Sequence, residues 1–343
     1  EFRRVLFRSG AARLGKKLGC EVFLSDKGKL ADKYKVVLEE LGVEYEEGQH
    51  TEAKIFAADI VVKSPGIPDK LPMIVGLREK GIEVISEIEF AGRHTDAKMY
   101  CITGSNGKTT TTLLLYHILK TAGYDVGLAG NVGNSLAAQV ADNLHRVYVV
   151  ELSSFQLDGM FRFRCDTAIL TNITPDHLDR YDYKFENYAN SKFRIMNNMR
   201  AEDLFIYGYD CDVVRERVEQ GKVVPEAVGF TYSADSRLNA WMDGDIVVAR
   251  LGERTFRIDK KEITIQGRHN VYNAMAAILA ALKAGVSDAD LRKGLTTFPQ
   301  VEHRLETVDV IDGVTYINDS KATNVDSAWY ALDSMTTPVI WIA

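Results

Sequence analysis

The chain has 343 residues, of which 46% are hydrophobic and 26% charged, the profile of a globular protein with material for two or three domains. A formal net charge of -6 argues against nucleic acid or an anionic membrane as partner, and no run approaches the ~18 apolar residues of a spanning helix. Cys20, Cys101, Cys165 and Cys211 are scattered and form no CxxC, which fits reduced thiols in a cytoplasmic protein and excludes a disulfide framework.

In chain order, Arg3–Ser9 (RRVLFRS) reads as translated sequencing adapter rather than as a basic first strand, and it lacks the apolar stretch of a secretory signal. Gly10 is then the last glycine of a loop whose beginning is lost. Residues 10 to 94 alternate helical pieces (ARLGKKLG, KYKVVLEELG) with strand-like ones (CEVFLSD, ADIVVKSPG), and PMIVGLREKG and EVISEIEFAG follow. Such alternation predicts a small open parallel sheet. Asp26 closes a strand, where Rossmann-like folds place an acid facing a ribose, but no G-x-G-x-x-G precedes it.

A second alternating segment begins at AKMYCITG. An apolar strand runs into GSNGKT, and TTTTLLLYHILKTAG continues as a helix with Gly123 at its C-terminal end. YDVGLAG, HRVYVVEL, TAILTNI and LFIYG are further strands, DIVVARLGERTFRI predicts an antiparallel addition, and HNVYNAMAAILAALKAG and SDADLRKGLTTF predict helices. Pro299 marks a linker, after which GVTYINDSKATN opens a third unit. TPVIWIA at the end reads as a buried strand, so both ends are expected to be incomplete.

The loop CITGSNGKTT departs from the common G-x-x-x-x-G-K-[ST] pattern, because Gly104 precedes Gly107 by three positions and Ile102 stands where the usual first glycine falls. Its context still predicts a phosphate cradle. Backbone N–H groups at the helix start face an anion, Lys108 supplies charge, and the Thr109 hydroxyl suits Mg²⁺. Gly104, Ser105, Asn106, Gly107 and Thr110 complete the loop. Glu151 ends an otherwise apolar strand at the edge where open α/β sheets bind ligands, so it reads either as a Mg²⁺ ligand or as a structural acid. His177 lies between Asp176 and Asp179 and suits metal binding or a structural role. Lys192 by itself reads as a solvated helical lysine.

These stretches resemble the Mur ligase family of ATP-dependent amide-forming enzymes of peptidoglycan synthesis. TGSNGKTT, DHLDRY, GRHNVYNAMAA, EHR and NDSKATN stand in that family's order, and ELSSFQL and NDSKATN are most similar to the member that joins D-glutamate to UDP-N-acetylmuramoyl-L-alanine. The resemblance implies an α/β, three-domain architecture: a Rossmann-like UDP domain (1–94), a central P-loop-type ATPase with a mostly parallel sheet (95–299) and the start of an amino-acid-binding Rossmann-like domain (300–343). It implies that Lys108 holds the β- and γ-phosphates and that Thr109 and Glu151 bind Mg²⁺. A carbamylated Lys192 would hold a second Mg²⁺ with His177. Asn270, Asn273, His303, Arg304 and Asp319 would surround ATP, and Lys321 and Thr323 would bind substrate carboxylates. Asn131, Ser153 and Gln156 would position the muramoyl substrate, with Asp26 and Gly66 nearer the uridine.

A monomer without nucleic-acid or membrane partners is expected. With the first strand and glycine loop replaced and the last domain short, uridine binding is expected to be weakened and the sequence as written not to turn over. Three other readings compete. Folylpolyglutamate synthase shares a related loop but not NDSKATN, a regulatory P-loop module would carry N-K-x-D, and a dehydrogenase has no use for Gly-Lys-Thr.

Overall fold

The computed structural model describes residues 2–335 and 337–342, with the side chains of residues 9–325, 327–335 and 337–342. It divides into two compact units. The first comprises the chain up to Thr103, Asp125–Ala168 and His177–Asp203; the second comprises Gly104–Tyr124, Ile169–Asp176 and the chain from Leu204 onward.

In the first unit, strand Phe23–Asp26 pairs in parallel with Glu44–Glu47, and Ile60–Val62 pairs in parallel with Glu83–Ile85. Helices Asp32–Glu40 and Pro72–Glu79 make the two crossovers, as parallel pairing requires. The expected single open sheet is thus two separate ladders, each too short to extend, and each has its own apolar core. Ala12, Leu24, Leu30, Leu38 and Val43 fill one; Ile74, Leu77 and Val84 fill the other. The N-terminal segment also departs from expectation, because Phe2–Lys17 is one helix and Gly10 lies inside it. A Cβ there would come within 1.9 Å of Ser135 Oγ, so it is close packing, rather than a glycine loop, that Gly10 serves.

Three longer parallel strands follow in the same unit, with Val147–Glu151 flanked by Lys98–Thr103 and Val126–Gly130. Apart from Lys98, Leu128 and Val147 their residues are buried on both faces, which explains the continuous apolar runs. The register sets Glu151 opposite Ile102 on one side and Gly130 on the other, at the tip of the middle strand.

In the second unit, Leu204–Gly208 pairs in parallel with Glu226–Phe230. Ala240–Asp243, Ile246–Leu251 and Arg254–Asp259 then form the predicted antiparallel addition. Helix Lys108–Thr121 packs beside Arg268–Ala284 and Asp288–Thr297, and Gly294 lets the last approach so closely that a Cβ would meet Ile118 Cα at 2.9 Å. A hairpin of Glu306–Ile311 and Val314–Asn318 leads to helix Val325–Asp333. The predicted C-terminal strand does not form. Residues 337–342 pair with no strand among the described residues, and Ile340 and Ile342 are exposed at 92% and 90%.

No helix among the described residues is long and apolar enough to cross a membrane, and all four cysteines are free thiols.

Candidate active site

The glycine loop from Gly104 to Lys108 lies within the second unit. Gly104 has φ +150° and Gly107 φ +85°, conformations that side chains rarely adopt. A Cβ on Gly104 would fall 1.9 Å from Thr171 Oγ1, and one on Gly107 would fall 2.3 Å from Asn273 Oδ1. The shortened glycine spacing therefore has a steric cause at both positions. Strand-tip residues hold the loop from behind. Ser105 N–H donates to the Asn172 carbonyl and Ser105 Oγ to the Thr174 carbonyl, both at 2.9 Å. Asn106 N–H donates to Asn172 Oδ1 at 2.9 Å, and the Asn106 carbonyl accepts from Thr171 Oγ1 at 2.6 Å.

Lys108 begins the helix and curls back, donating from Nζ to the Gly104 and Ser105 carbonyls at 2.9 Å each. The ammonium is thereby held over the loop, where the helix N-terminus adds its own positive field. Thr109 Oγ1 accepts from Arg304 Nη2 at 3.3 Å. Asn273 Oδ1 accepts from Thr111 Oγ1 at 3.2 Å, while its Nδ2 donates to Asn270 Oδ1 at 3.1 Å. A cavity of about 1030 Å³ opens against Asn106, Gly107 and Thr110, with Asn270, Arg304 and Asp319 also in its wall. That is ample for a nucleotide. Asp319 accepts from Leu305 N–H at 3.1 Å, and burial holds its carboxyl above the ordinary range against the opposing pull of Arg304. His303, at φ +63°, sits 2.8 Å through Nδ1 from Asn318 Nδ2. Lys321 N–H donates to the His303 carbonyl at 3.3 Å, and the Thr323 side chain is exposed.

The remaining candidates belong to the first unit. Glu151 is 1% exposed; its Oε1 accepts from Asn131 Nδ2 at 2.6 Å, and its Oε2 is buried with no hydrogen-bond partner. Half of a carboxylate without a donor is costly in a protein interior and suits a cation. Ser153 and Gln156 form a capping box on the short helix Ser154–Leu157, so the Gln156 amide oxygen is occupied by Ser153 N–H at 3.0 Å. His177 adopts a left-handed conformation (φ +50°) with its ring 5.3 Å from that of Phe155. Lys192, expected at a solvated surface when read alone, is 2% exposed, with Nζ 4.8 Å from the Tyr188 ring centre. Asp26 caps its own turn by accepting from Gly28 N–H at 2.9 Å, and the Gly66 carbonyl accepts from Arg180 at 3.3 Å.

Among the described residues no three His, Cys, Asp or Glu side chains gather into a metal-binding group. Within the first unit, the orphaned Glu151 Oε2 is the observation that fits a cation, because a buried carboxylate oxygen without a donor is satisfied by one. Sequence reasoning missed Thr171, Asn172 and Arg180. The first two were legible as polar residues closing an apolar strand (TAILTN), and Arg180 lies in DHLDRY, a motif that was noted but whose arginine was given no role.

Residues 102–281 match the Mur ligase middle domain, and residues 11–71 match the MurD N-terminal domain. The UDP-N-acetylmuramoylalanine--D-glutamate ligase of Bacteroides fragilis is 51% identical over 335 residues, covering 97% of this chain and 75% of that protein. The ligase of the same name from Porphyromonas gingivalis is 52% identical, with 97% and 74% covered. Among solved structures, the UDP-N-acetylmuramate:L-alanyl-gamma-D-glutamyl-meso-diaminopimelate ligase of Neisseria meningitides superposes with a TM-score of 0.62 at 22% identity over 87% of this chain and 96% of that one. MurC of Thermotoga maritima gives 0.59 at 20% identity over 96% and 75%.

Proposed function

Because the chain belongs to the Mur ligase family, we propose that it is built for ATP-dependent addition of D-glutamate to UDP-N-acetylmuramoyl-L-alanine in peptidoglycan precursor synthesis. The observation that carries this reading is the glycine loop with Lys108 curled over it, in a chain half identical to ligases of that name. In this scheme the three domains are residues 1–94, 95–299 and 300–343.

A carboxylate resists amide formation because its oxygen is a poor leaving group. Transfer of the ATP γ-phosphoryl group to the L-alanyl carboxylate forms an acyl phosphate and ADP. The D-glutamate amine attacks the acyl carbon, loses its proton, and expels inorganic phosphate as the amide bond forms. Lys108 and Arg304 offset the repulsion between anionic attacker and triphosphate. Thr109 and Glu151 would hold one Mg²⁺, and His177 with a carbamylated Lys192 a second. The ions supply charge neutralisation at the transferring phosphoryl group. Carbamylation converts an amine into a carboxylate-bearing ligand, which gives the buried Lys192 a purpose its sequence context lacks. Asn131, Ser153 and Gln156 would place the muramoyl substrate, Asp26 and Gly66 the uridine, and Lys321 and Thr323 substrate carboxylates, those of D-glutamate among them.

Equilibrium binding tests the reading. The chain is expected to bind a non-hydrolysable ATP analogue with Mg²⁺ and, weakly, UDP-N-acetylmuramoyl-L-alanine, and to bind neither NADH nor a folate acceptor. A preference for the folate or for NADH would overturn it.

A further inference from the structure

We infer that Asn324 is a positioning residue that latches the segment carrying Lys321 and Thr323 onto the phosphate loop, so that nucleotide and amino-acid-binding segment are set in place together. The inference rests on the reading of these residues given above. The Asn106 backbone is fixed from behind: its N–H donates to Asn172 Oδ1 at 2.9 Å, and its carbonyl accepts from Thr171 Oγ1 at 2.6 Å and Asn172 Nδ2 at 3.1 Å. Only its side chain turns the other way. There Asn106 Oδ1 accepts from Asn324 Nδ2 at 3.0 Å and from Ser327 Oγ at 3.4 Å.

Asn324 serves two masters with its two amide atoms. While Nδ2 reaches the loop, Oδ1 accepts from Ser327 N–H at 2.9 Å and caps helix Val325–Asp333. The helix entry is thereby tied to a loop 218 residues earlier. Arg304 adds a second tie to the same loop through Thr109 Oγ1 at 3.3 Å, and Lys321 is joined to the turn that carries Arg304 by its bond to the His303 carbonyl at 3.3 Å. Lys321 precedes Asn324 by three residues, a span of at most ~11 Å, and Thr323 is its neighbour. Fixing Asn324 therefore confines both to its vicinity. By linkage, whatever nucleotide does to order this segment, the segment does equally for nucleotide affinity.

Hydrogen exchange read by mass spectrometry on the whole chain tests the latch with Asn324→Ser. Serine is a good N-cap but too short to reach Asn106, so helix Val325–Asp333 keeps its protection while the 3.0 Å bond to Asn106 is lost and only the longer 3.4 Å contact from Ser327 remains. Without nucleotide, amides of residues 104–109 are expected to exchange roughly fivefold faster in the variant, the worth of one neutral hydrogen bond. With Mg²⁺ and a non-hydrolysable ATP analogue, slowing of exchange at residues 319–324 is expected in the parent and is lost in the variant. Equal exchange at the loop in both proteins, or equal slowing by nucleotide, would overturn the latch. Faster loop exchange in the variant with no nucleotide binding by the parent would leave the latch standing and overturn the reading of the loop as a nucleotide site.

Discussion

Asn131 donates its side-chain amide to one oxygen of Glu151 at 2.6 Å and, through its main chain, receives the strand end itself, since Asn131 N–H donates to the Glu151 carbonyl at 2.8 Å. The carboxylate is thus aimed by its neighbour, and its second oxygen is buried without a partner. Glu151→Gln preserves the shape and the bond to Asn131 but removes the charge. It is expected to leave folding stability unchanged or raised by ~1 kcal/mol, and to weaken the Mg²⁺ dependence of nucleotide binding about tenfold or more. Titration of ATP-analogue binding with Mg²⁺ measures this directly; an unaltered Mg²⁺ profile would assign Glu151 a purely structural role.

Gly104 tests whether the loop's shape matters to the fold as well as to the ligand. With its Cβ position 1.9 Å from Thr171 Oγ1, Gly104→Ala forces the strand tip apart. The expected cost is ~1–3 kcal/mol in urea unfolding, with nucleotide binding lost together with the loop geometry. A variant of parental stability that still binds would show that the loop relaxes freely.

Stability should depend on pH through Glu87. This carboxyl is fully buried; it accepts from Ser135 Oγ at 2.6 Å and Ala137 N–H at 2.7 Å, and burial pushes its pKa up to about 7. The folded protein therefore holds the proton more tightly than the unfolded chain, where the ordinary value is 4.5. Its contribution to stability is largest at and below pH 4.5, falls as the pH rises toward 7, and is flat above, with a total change of at most ~3 kcal/mol. Chemical denaturation at pH 5 and pH 8 should show this loss, and Glu87→Gln should remove most of it. An unchanged pH dependence in the variant would mean that other groups carry the effect.

Lys192 is accessible to spectroscopy. Chain equilibrated with ¹³C-bicarbonate is expected to show a carbamate carbon resonance that disappears in Lys192→Arg, whose guanidinium cannot react in the same way. The same variant should retain the first Mg²⁺ and lose the second. A resonance that persists in Lys192→Arg would place the carbamate elsewhere.

Local sequence was a good guide wherever one element decided the outcome. The apolar strand, two glycines and Lys-Thr located the tight loop that opens the helix at Lys108, and Glu151 was visible as an acid closing VYVVE. It failed where partners were remote. The latch residue Asn324 meets Asn106 across 218 positions, and nothing in its own neighbourhood announces the contact. Lys192 looked solvated because its helix carries charge and polarity on several faces, yet Tyr188, Ala189 and Phe193 bury the face it shares. Ile340 and Ile342 erred the other way, since an apolar run reads as a buried strand and both side chains are exposed.

The most direct test of the account is calorimetric titration of the chain and of Lys108→Ala with a non-hydrolysable ATP analogue and Mg²⁺. The account predicts binding by the parent and a loss of about 100-fold or more in the variant, since Lys108 is the charged group held over the loop. Equal affinity in the two proteins, with both folded, would contradict it.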